Sequence, residues 1–246
     1  LALPKSEVTL AQVLKSAGYA TGMVGKWHLG HKMGALPTER GFDEYLGIPY
    51  SNDMRPVQVL EGTEVAEYPV VQATLTTRYA KRAADFINRN AKKPFFLYLS
   101  HKAVHSDPQP APRYAHQYDK TIFKVPDSAA NTPENYAGKP MWVYNQRNTW
   151  HGIDFFYNSD MKMTEYLRYY YSTLSAVDDS VGRVLAYLKK NHLEKDTLVI
   201  FAGDDVDVHP LPPDGEVSIG RAEGNDVRVD HPSVSRWLST SPAHVR

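Results

Sequence analysis

Three short apolar runs, separated by amphipathic segments, constrain most strongly how this chain can fold. The runs are YATGMV from Tyr19, PFFLYLS from Pro94 and TLVIFAG from Thr197. Apolar runs of about 4 to 8 residues between turn residues are typical of strands buried on both faces. Helical periodicity predicts three helices around these runs, over residues 9–17, 74–90 and 163–191. Alternating helices and strands indicate an α/β fold with a mainly parallel sheet flanked by helices.

Polar side chains follow directly where each apolar run stops. Lys26 and His28 follow the first run, His105 follows the second, and Asp204 with Asp205 follow the third. Ligands of open α/β sheets bind at the carboxyl ends of the strands. We therefore expect these side chains to meet at one edge of the sheet, where they could bind an anion and a metal ion.

The composition excludes several classes of partner and site. The chain has 28 basic and 28 acidic residues, so its zero net charge predicts no nucleic acid or anionic membrane as partner. The absence of cysteine excludes disulfides, zinc-thiolate sites and a cysteine nucleophile within these residues. No segment approaches the roughly 20 apolar residues of a membrane span. The start, LALPK, lacks Met and the pattern of a signal peptide, so we expect the interior of a longer protein.

A motif around the first run carries a specific resemblance. Residues 18–30 read GYATGMVGKWHLG and resemble the second signature of the type I, formylglycine-dependent sulfatases. In that family the lysine and the histidine hold the substrate's sulfate and assist at the ester oxygen. The resemblance thus implies that Lys26 and His28 are catalytic. An isolated Lys-x-His would more often be a surface lysine beside a half-buried histidine, but the surrounding residues favour the family.

Two further segments extend the resemblance and imply substrate-binding residues. RGFDEYLGIPYSNDM, residues 40–54, is similar to the arylsulfatase A and galactosamine-6-sulfatase branch and places Ser51 at the site. Such a serine is more often simply a turn former. PFFLYLSHKAVHSDP resembles the family's strand before a sulfate-binding histidine, which here is His105. The alternative is a histidine in an ordinary loop, and His101 is left without a role.

The third run resembles the family strand that ends in Asp-Asn-Gly and binds calcium. The match, DTLVIFAGDDV, makes Asp204 and Asp205 the metal candidates, and carboxylate oxygens suit a hard cation. Asp205 replaces the family's asparagine, and Val206 replaces its glycine. A turn or a helix cap is the alternative for these acids. The acidic pair Asp178 and Asp179 falls beside the core positions of the last helix and is not assigned to the metal.

The family's nucleophile is absent from its expected place. No Cys/Ser-x-Pro-x-Arg motif, the site of formylglycine formation, precedes Lys26. We therefore expect an inactive, N-terminally truncated fragment, with a partial, alkaline-phosphatase-like sulfatase domain over residues 1–205. Residues 206–246 lack periodicity and predict a divergent, poorly ordered tail. The codons of residues 222–232, read one nucleotide later, permit KGTTYESTIR, which resembles a family segment and suggests a shift of reading frame near Asp205.

The resemblance implies a sulfuric ester hydrolase that acts on aryl or carbohydrate sulfates, with an exported parent that is periplasmic, secreted or lysosomal. A phosphatase or phosphonate hydrolase of the alkaline-phosphatase superfamily and a non-catalytic remnant are the alternatives. Tyr144, Arg147, Trp150 and His151 lie in an aromatic and basic loop that could stack on a sugar face. This loop favours carbohydrate sulfates over small aryl sulfates.

Overall fold

The structure is a computed structural model. It describes residues 2–105, 108–125, 127–145 and 161–202, with the backbone of two short strands further on. The chain divides into two compact units, Leu1–Val177 and Asp178–Arg246. The boundary predicted at residue 205, between a catalytic domain and a tail, stays a prediction.

The first unit contains a five-stranded sheet. Its strands are β1 (Ala20–Gly25), β2 (Glu44–Gly47), β3 (Val59–Glu61), β4 (Glu64–Glu67) and β5 (Phe95–Ser100). Their spatial order is β4-β3-β2-β1-β5. β1 pairs in parallel with both β2 and β5, whereas β2–β3 and β3–β4 are antiparallel. The predicted α/β fold is confirmed, in a mixed sheet whose parallel part comprises β2, β1 and β5.

The three long helical patterns of the sequence form helices. The helices are α1 (Leu10–Ser16), α2 (Leu75–Asn90), α3 (Pro133–Tyr136), α4 (Met141–Asn145) and α5 (Met163–Lys190). The boundary between the two units falls within α5. The described residues between β5 and α5 form only short helices and turns, as the irregular sequence predicts. No helix among the described residues is long and apolar enough to cross a membrane.

β1 is buried on both faces, which explains its nearly continuous apolar sequence. Successive strand residues point to opposite faces, so Met23 enters one core cluster and Val24 the other. The first cluster includes Ala11 of α1, and the second includes Leu75 and Tyr79 of α2. The helices thus cover opposite faces of the sheet.

The third apolar run forms no strand, and that prediction is wrong for residues 197–202. Leu198, Val199, Ile200 and Phe201 are between 42% and 76% exposed. A strand needs a neighbour to pair its backbone groups. None of the described strands pairs with this run, since β6 (Ile219–Gly220) and β7 (Val227–Arg228) pair with each other. The second run does form a strand, but β5 lies at the edge of the described sheet and is only partly buried.

Candidate functional site

The carboxyl ends of β2, β1 and β5 approach each other so closely that two positions accept only glycine. A Cβ atom on Gly25 would lie 1.7 Å from the carbonyl oxygen of Ser100. A Cβ atom on Gly47 would lie 1.8 Å from the carbonyl oxygen of Gly25. Gly25 also has a φ of +118°, which residues with a Cβ atom rarely adopt. The residues that follow these three strands are therefore brought together.

The segment that follows β1 continues to bond to both neighbouring strands. Its three amide groups donate to carbonyl groups at or beyond the ends of β5 and β2. These bonds are Lys26 N to Ser100 O at 2.9 Å, Trp27 N to Ile48 O at 3.1 Å and His28 N to Pro49 O at 2.8 Å. The backbone that carries Lys26 and His28 is thus fixed by hydrogen bonds before any ligand binds.

Trp27 anchors this segment in the core. Its ring is buried, and its indole nitrogen donates to the carbonyl oxygen of Ala35 at 2.8 Å. His28 has a φ of +64°, a conformation uncommon for residues other than glycine and often found at functional sites. Lys26 and His28 are both partly exposed. The GKWH motif therefore consists of a buried anchor between two polar side chains that a ligand can reach.

Ser51 and His105 meet although they are 54 positions apart in the chain. The Ser51 hydroxyl lies 3.4 Å from Nδ1 of His105 and donates to Oδ1 of Asn52 at 3.3 Å. Ser51 is only 3% exposed, whereas His105 is exposed. The amide of His105 donates to the carbonyl oxygen of Lys102 at 3.1 Å, which closes the turn after β5. The loops after β2 and β5 therefore supply one pair of hydrogen-bonding groups.

The charges that act on His28 connect the Lys26–His28 segment with the Ser51–His105 pair. Burial lowers the pKa of His28, and the positive charges of Lys26 and His105 lower this pKa further. The carboxylate of Asp53 acts in the opposite direction on the same pKa. His28 therefore lies within electrostatic range of all three groups. Without a ligand it is neutral at pH 7, beside groups that favour an anion.

Reasoning from the sequence missed two neighbours of His28. The ring of Tyr50 meets the His28 ring edge to face at 5.7 Å between centroids, and its hydroxyl lies 3.0 Å from Nδ1 of His31. Asp53 acts on the charge of His28, as described above. Both residues flank Ser51 in the turn after β2, and that position could have signalled their role. The family resemblance drew attention to Ser51 alone.

The candidate metal ligands cannot be placed in this site. Asp204 and Asp205 lie outside the described residues. Among the residues that the structure does describe, no group of three or more histidine or acidic side chains could hold a metal ion. The described part of the site therefore provides a cation, two imidazoles and a hydroxyl, which are groups that bind an anion, together with one carboxylate, Asp53, that acts on His28.

His101 and Asp179 have environments that explain them without a ligand. Both ring nitrogens of His101 are buried without a hydrogen-bonding partner among the described residues, and burial lowers its pKa to about 4. Its ring lies 6.4 Å from that of Tyr79. The carboxylate of Asp179 pairs with Arg183 at 3.0 Å, one helical turn further along α5. His101 is therefore a neutral core residue, and Asp179 stabilises the surface of its own helix.

Solved structures share the fold of this chain. A crystal structure of Ps i-CgsB in complex with k-i-k-neocarrahexaose aligns with a TM-score of 0.53 at 22% identity, covering 79% of this chain and 39% of that protein. A protein solved in complex with its substrate D-glucosamine-2-N,6-O-disulfate aligns with a TM-score of 0.51 at 24% identity, covering 77% of this chain and 48% of that protein. At these identities the likeness establishes the fold, which is that of the alkaline-phosphatase-like sulfatases.

Sequence comparison places the chain in a family. Human (Homo sapiens) N-acetylgalactosamine-6-sulfatase is 30% identical over 220 residues, covering 82% of this chain and 33% of that relative. Arylsulfatase G of Canis lupus familiaris is 40% identical over 138 residues, covering 42% of this chain and 26% of that relative. The chain thus spans about a quarter to a third of the length of these relatives. The sulfatase family model matches residues 2–217, and the chain belongs to the sulfatase family.

Proposed function

We propose that this chain provides the sulfate-binding side of a site that hydrolyses sulfate esters. The observation that carries the proposal is the meeting of four groups beyond the ends of β1, β2 and β5: Lys26 and His28, with Ser51 and His105. Their side chains offer one fixed positive charge, two imidazoles and a hydroxyl donor. A tetrahedral oxyanion accepts hydrogen bonds on several sides, so this set matches a sulfate group.

Each group has a distinct role in this proposal. Lys26 and His105 neutralise the charge that the sulfate carries and that grows on its oxygens during ester cleavage. The Ser51 hydroxyl, which donates to Oδ1 of Asn52, turns toward the sulfate and donates to it instead. His28 is neutral in the empty site, since burial lowers its pKa. A bound sulfate favours its protonated form, and protonated His28 then donates its proton to the leaving ester oxygen.

We further propose that Asp204 and Asp205 are ligands of a calcium ion. Carboxylate oxygens are the ligands that this hard cation prefers, and the two residues follow the run that resembles the family's metal-binding strand. Bound calcium would offset negative charge on the sulfate. The variant Asp205→Asn, which has the family's residue, tests the assignment. It should change how the thermal midpoint depends on calcium concentration. An unchanged dependence would contradict the assignment.

A carbohydrate sulfate is the substrate class that we propose. One protein of the same fold was solved with its substrate D-glucosamine-2-N,6-O-disulfate, and a relative is named N-acetylgalactosamine-6-sulfatase. The aromatic loop expected to support a sugar is described only in part. Tyr144 is accessible and meets Tyr136 edge to face at 5.1 Å, whereas Arg147, Trp150 and His151 lie outside the described residues.

This chain should bind sulfate but should not hydrolyse sulfate esters. Its sequence has no cysteine and no Ser-x-Pro-x-Arg motif, so it lacks the source of the formylglycine on which the family's covalent chemistry depends. Binding is therefore the measurement that tests the proposal for this chain. It also separates a sulfate-binding domain from a remnant that has lost the site.

The test is calorimetric titration of the chain with inorganic sulfate. Lys26→Ala and His105→Ala should each weaken binding by about tenfold to a hundredfold, because each removes a charge-assisted hydrogen bond worth roughly 1.5–3 kcal/mol. Lys93→Ala and His116→Ala are matched controls, because both residues are exposed and lie outside the site. Equal sulfate affinity in the Lys26→Ala and Lys93→Ala variants would contradict the proposal.

A further inference from the structure

A cleft of about 350 Å³ in the first unit has no role in the function proposed above. Two short segments form it, one on either side of the β3–β4 hairpin. The cleft is lined by Arg55, Pro56, Val57, Tyr68, Pro69 and Val70. Its volume falls within the range of about 300–1,000 Å³ that is typical of small-molecule sites. The cleft is therefore large enough to receive a ligand group such as a sugar ring.

The loop that supplies Ser51 to the sulfate site also forms one wall of this cleft. Pro56 and Val57 line both the cleft and a smaller cavity that Ser51 lines as well. The amide of Met54 donates to the carbonyl oxygen of Ser51 at 3.1 Å, so residues 51–54 form a tight turn. The Cα atom of Arg55 consequently lies within about 11 Å of that of Ser51. A molecule of two linked sugar rings can span such a distance.

The floor of the cleft is packed against the core and its rim is accessible. Val57 is buried in the second core cluster, and Val70 packs against that cluster. Tyr68, in contrast, is 63% exposed, and Arg55 is exposed beside it. The rim therefore presents an aromatic ring and a guanidinium group above a preformed apolar surface.

The charge of the cleft favours an anion. Arg55 is the one charged residue among the six that line it. In the part of the chain that the structure describes, no carboxylate forms an ion pair with Arg55. The neighbouring Glu67 is already engaged, because it pairs with Arg78 and accepts from the amide of Val71. The guanidinium group is thus available to a ligand, and its planar fork suits a carboxylate or a sulfate.

We propose that this cleft binds the sugar next to the sulfated sugar of an oligosaccharide, and that this neighbouring sugar carries an anionic group. The Tyr68 ring packs against the apolar face of the sugar, and Arg55 binds its carboxylate or second sulfate. This proposal rests on the function proposed above, because Ser51 connects the two sites. It adds a preference for an acidic neighbour, which the sulfate site by itself cannot provide.

The experiment is calorimetric titration of the whole chain with four probes. These are a hexosamine 6-sulfate, and the same sugar linked to a neutral hexose, to a uronic acid or to a sulfated hexose. The acidic disaccharides should bind about tenfold more tightly than the neutral disaccharide, and the more favourable acid identifies the anionic group. Arg55→Gln should abolish this preference for an acidic neighbour, whereas Tyr68→Ala should weaken all three disaccharides. Both variants should bind the monosaccharide as the wild type does.

Two control variants separate the cleft from general surface effects. Lys93→Gln removes an exposed charge elsewhere, and Tyr98→Ala removes a tyrosine that is 48% exposed on β5. Neither should change the affinity for any of the disaccharides. A preference for the acidic over the neutral disaccharide that is absent from the wild type, or equal in the wild type and in Arg55→Gln, would overturn the cleft proposal. Failure of the proposed function looks different, since the monosaccharide would then not bind or would bind Lys26→Ala equally well, and that result would overturn both proposals.

Discussion

Two apolar runs of this chain carry the same sequence signal and have different structures. Phe95–Ser100 forms β5 and pairs in register with all six residues of β1. Residues 197–202 form no strand, and Ile200 is 76% exposed. Leu97 and Ile200 occupy equivalent positions in the two runs, yet Leu97 packs against the second core cluster.

The difference shows that an apolar run becomes a strand only where the rest of the fold provides a partner and a cover. β5 has β1 beside it, and α2 covers it through the edge contact of Phe86 with Phe95 at 6.2 Å between ring centroids. The described residues of the second unit offer residues 197–202 no pairing strand. The residues of the first unit that we propose to bind sulfate therefore follow strands of a formed sheet, whereas Asp204 follows a run that forms no strand.

The largest loss of stability is expected from a substitution at Gly25, where β1 closely approaches β5. A Cβ atom there would lie 1.7 Å from the carbonyl oxygen of Ser100, so Gly25→Ala must separate β1 from β5. We expect it to lower the free energy of unfolding by more than about 4 kcal/mol, measured by urea denaturation. Gly62→Ala is the matched control, because Gly62 also has positive φ but has open space around it. That control should cost about 1–2 kcal/mol, and equal losses would contradict the proposed close approach.

A smaller loss of stability is expected at low pH, because the buried ring of His101, the residue after β5, must then accept a proton. Burial lowers its pKa to about 4 in the folded chain, whereas an unfolded chain has the ordinary value of about 6.5. Between these values the unfolded state binds the proton more readily, so stability falls as the pH falls from about 6.5 to 4. The loss should reach about 3 kcal/mol, at about 1.4 kcal/mol per pKa unit.

Thermal or urea unfolding over this pH range checks the prediction. His101→Leu should flatten the pH dependence of the free energy of unfolding. His116→Leu should not, because the side chain of His116 is 86% exposed. The same pH dependence in the wild type and in His101→Leu would contradict the prediction, because it would show that His101 binds a proton as readily in the folded chain as in the unfolded one.

The smallest effects compare the two runs directly. Leu97→Ala should cost about 2 kcal/mol, the lower end for a leucine packed in a core. Ile200→Ala, at the equivalent position of the exposed run, should change the free energy of unfolding by less than about 0.5 kcal/mol. Urea denaturation of both variants measures the difference. Equal losses would mean that residues 197–202 are packed in solution as tightly as β5.

The contrast between β5 and residues 197–202 also explains how much of the fold can be predicted from the sequence. The patterns for β1, α2 and α5 were sufficient to predict these elements. β1 is an apolar run buried on both faces of the sheet, and the two helices have apolar residues at helical spacing. The strand at residues 197–202 was predicted wrongly, because pairing depends on a distant partner that local pattern cannot reveal. The antiparallel β3–β4 hairpin was not predicted, although Gly62, in its two-residue turn, has the positive φ typical of such turns.

The sequence predicted the candidate site in part. Motif resemblance selected Lys26, His28, Ser51 and His105, and the structure brings them together. It did not reveal Tyr50 and Asp53, whose influence on His28 arises from their distance in space and not from any motif. The roles of the four residues stay predictions, as does the calcium site at Asp204 and Asp205.

The central claim is that Lys26, His28 and His105 face a single bound oxyanion. Titration of His28 by NMR, with and without saturating sulfate, tests it most directly. Burial and the charges of Lys26 and His105 lower the pKa of His28 in the empty site. We expect bound sulfate to raise this pKa, because the anion counteracts those charges. Saturable sulfate binding that leaves the pKa of His28 unchanged would contradict it.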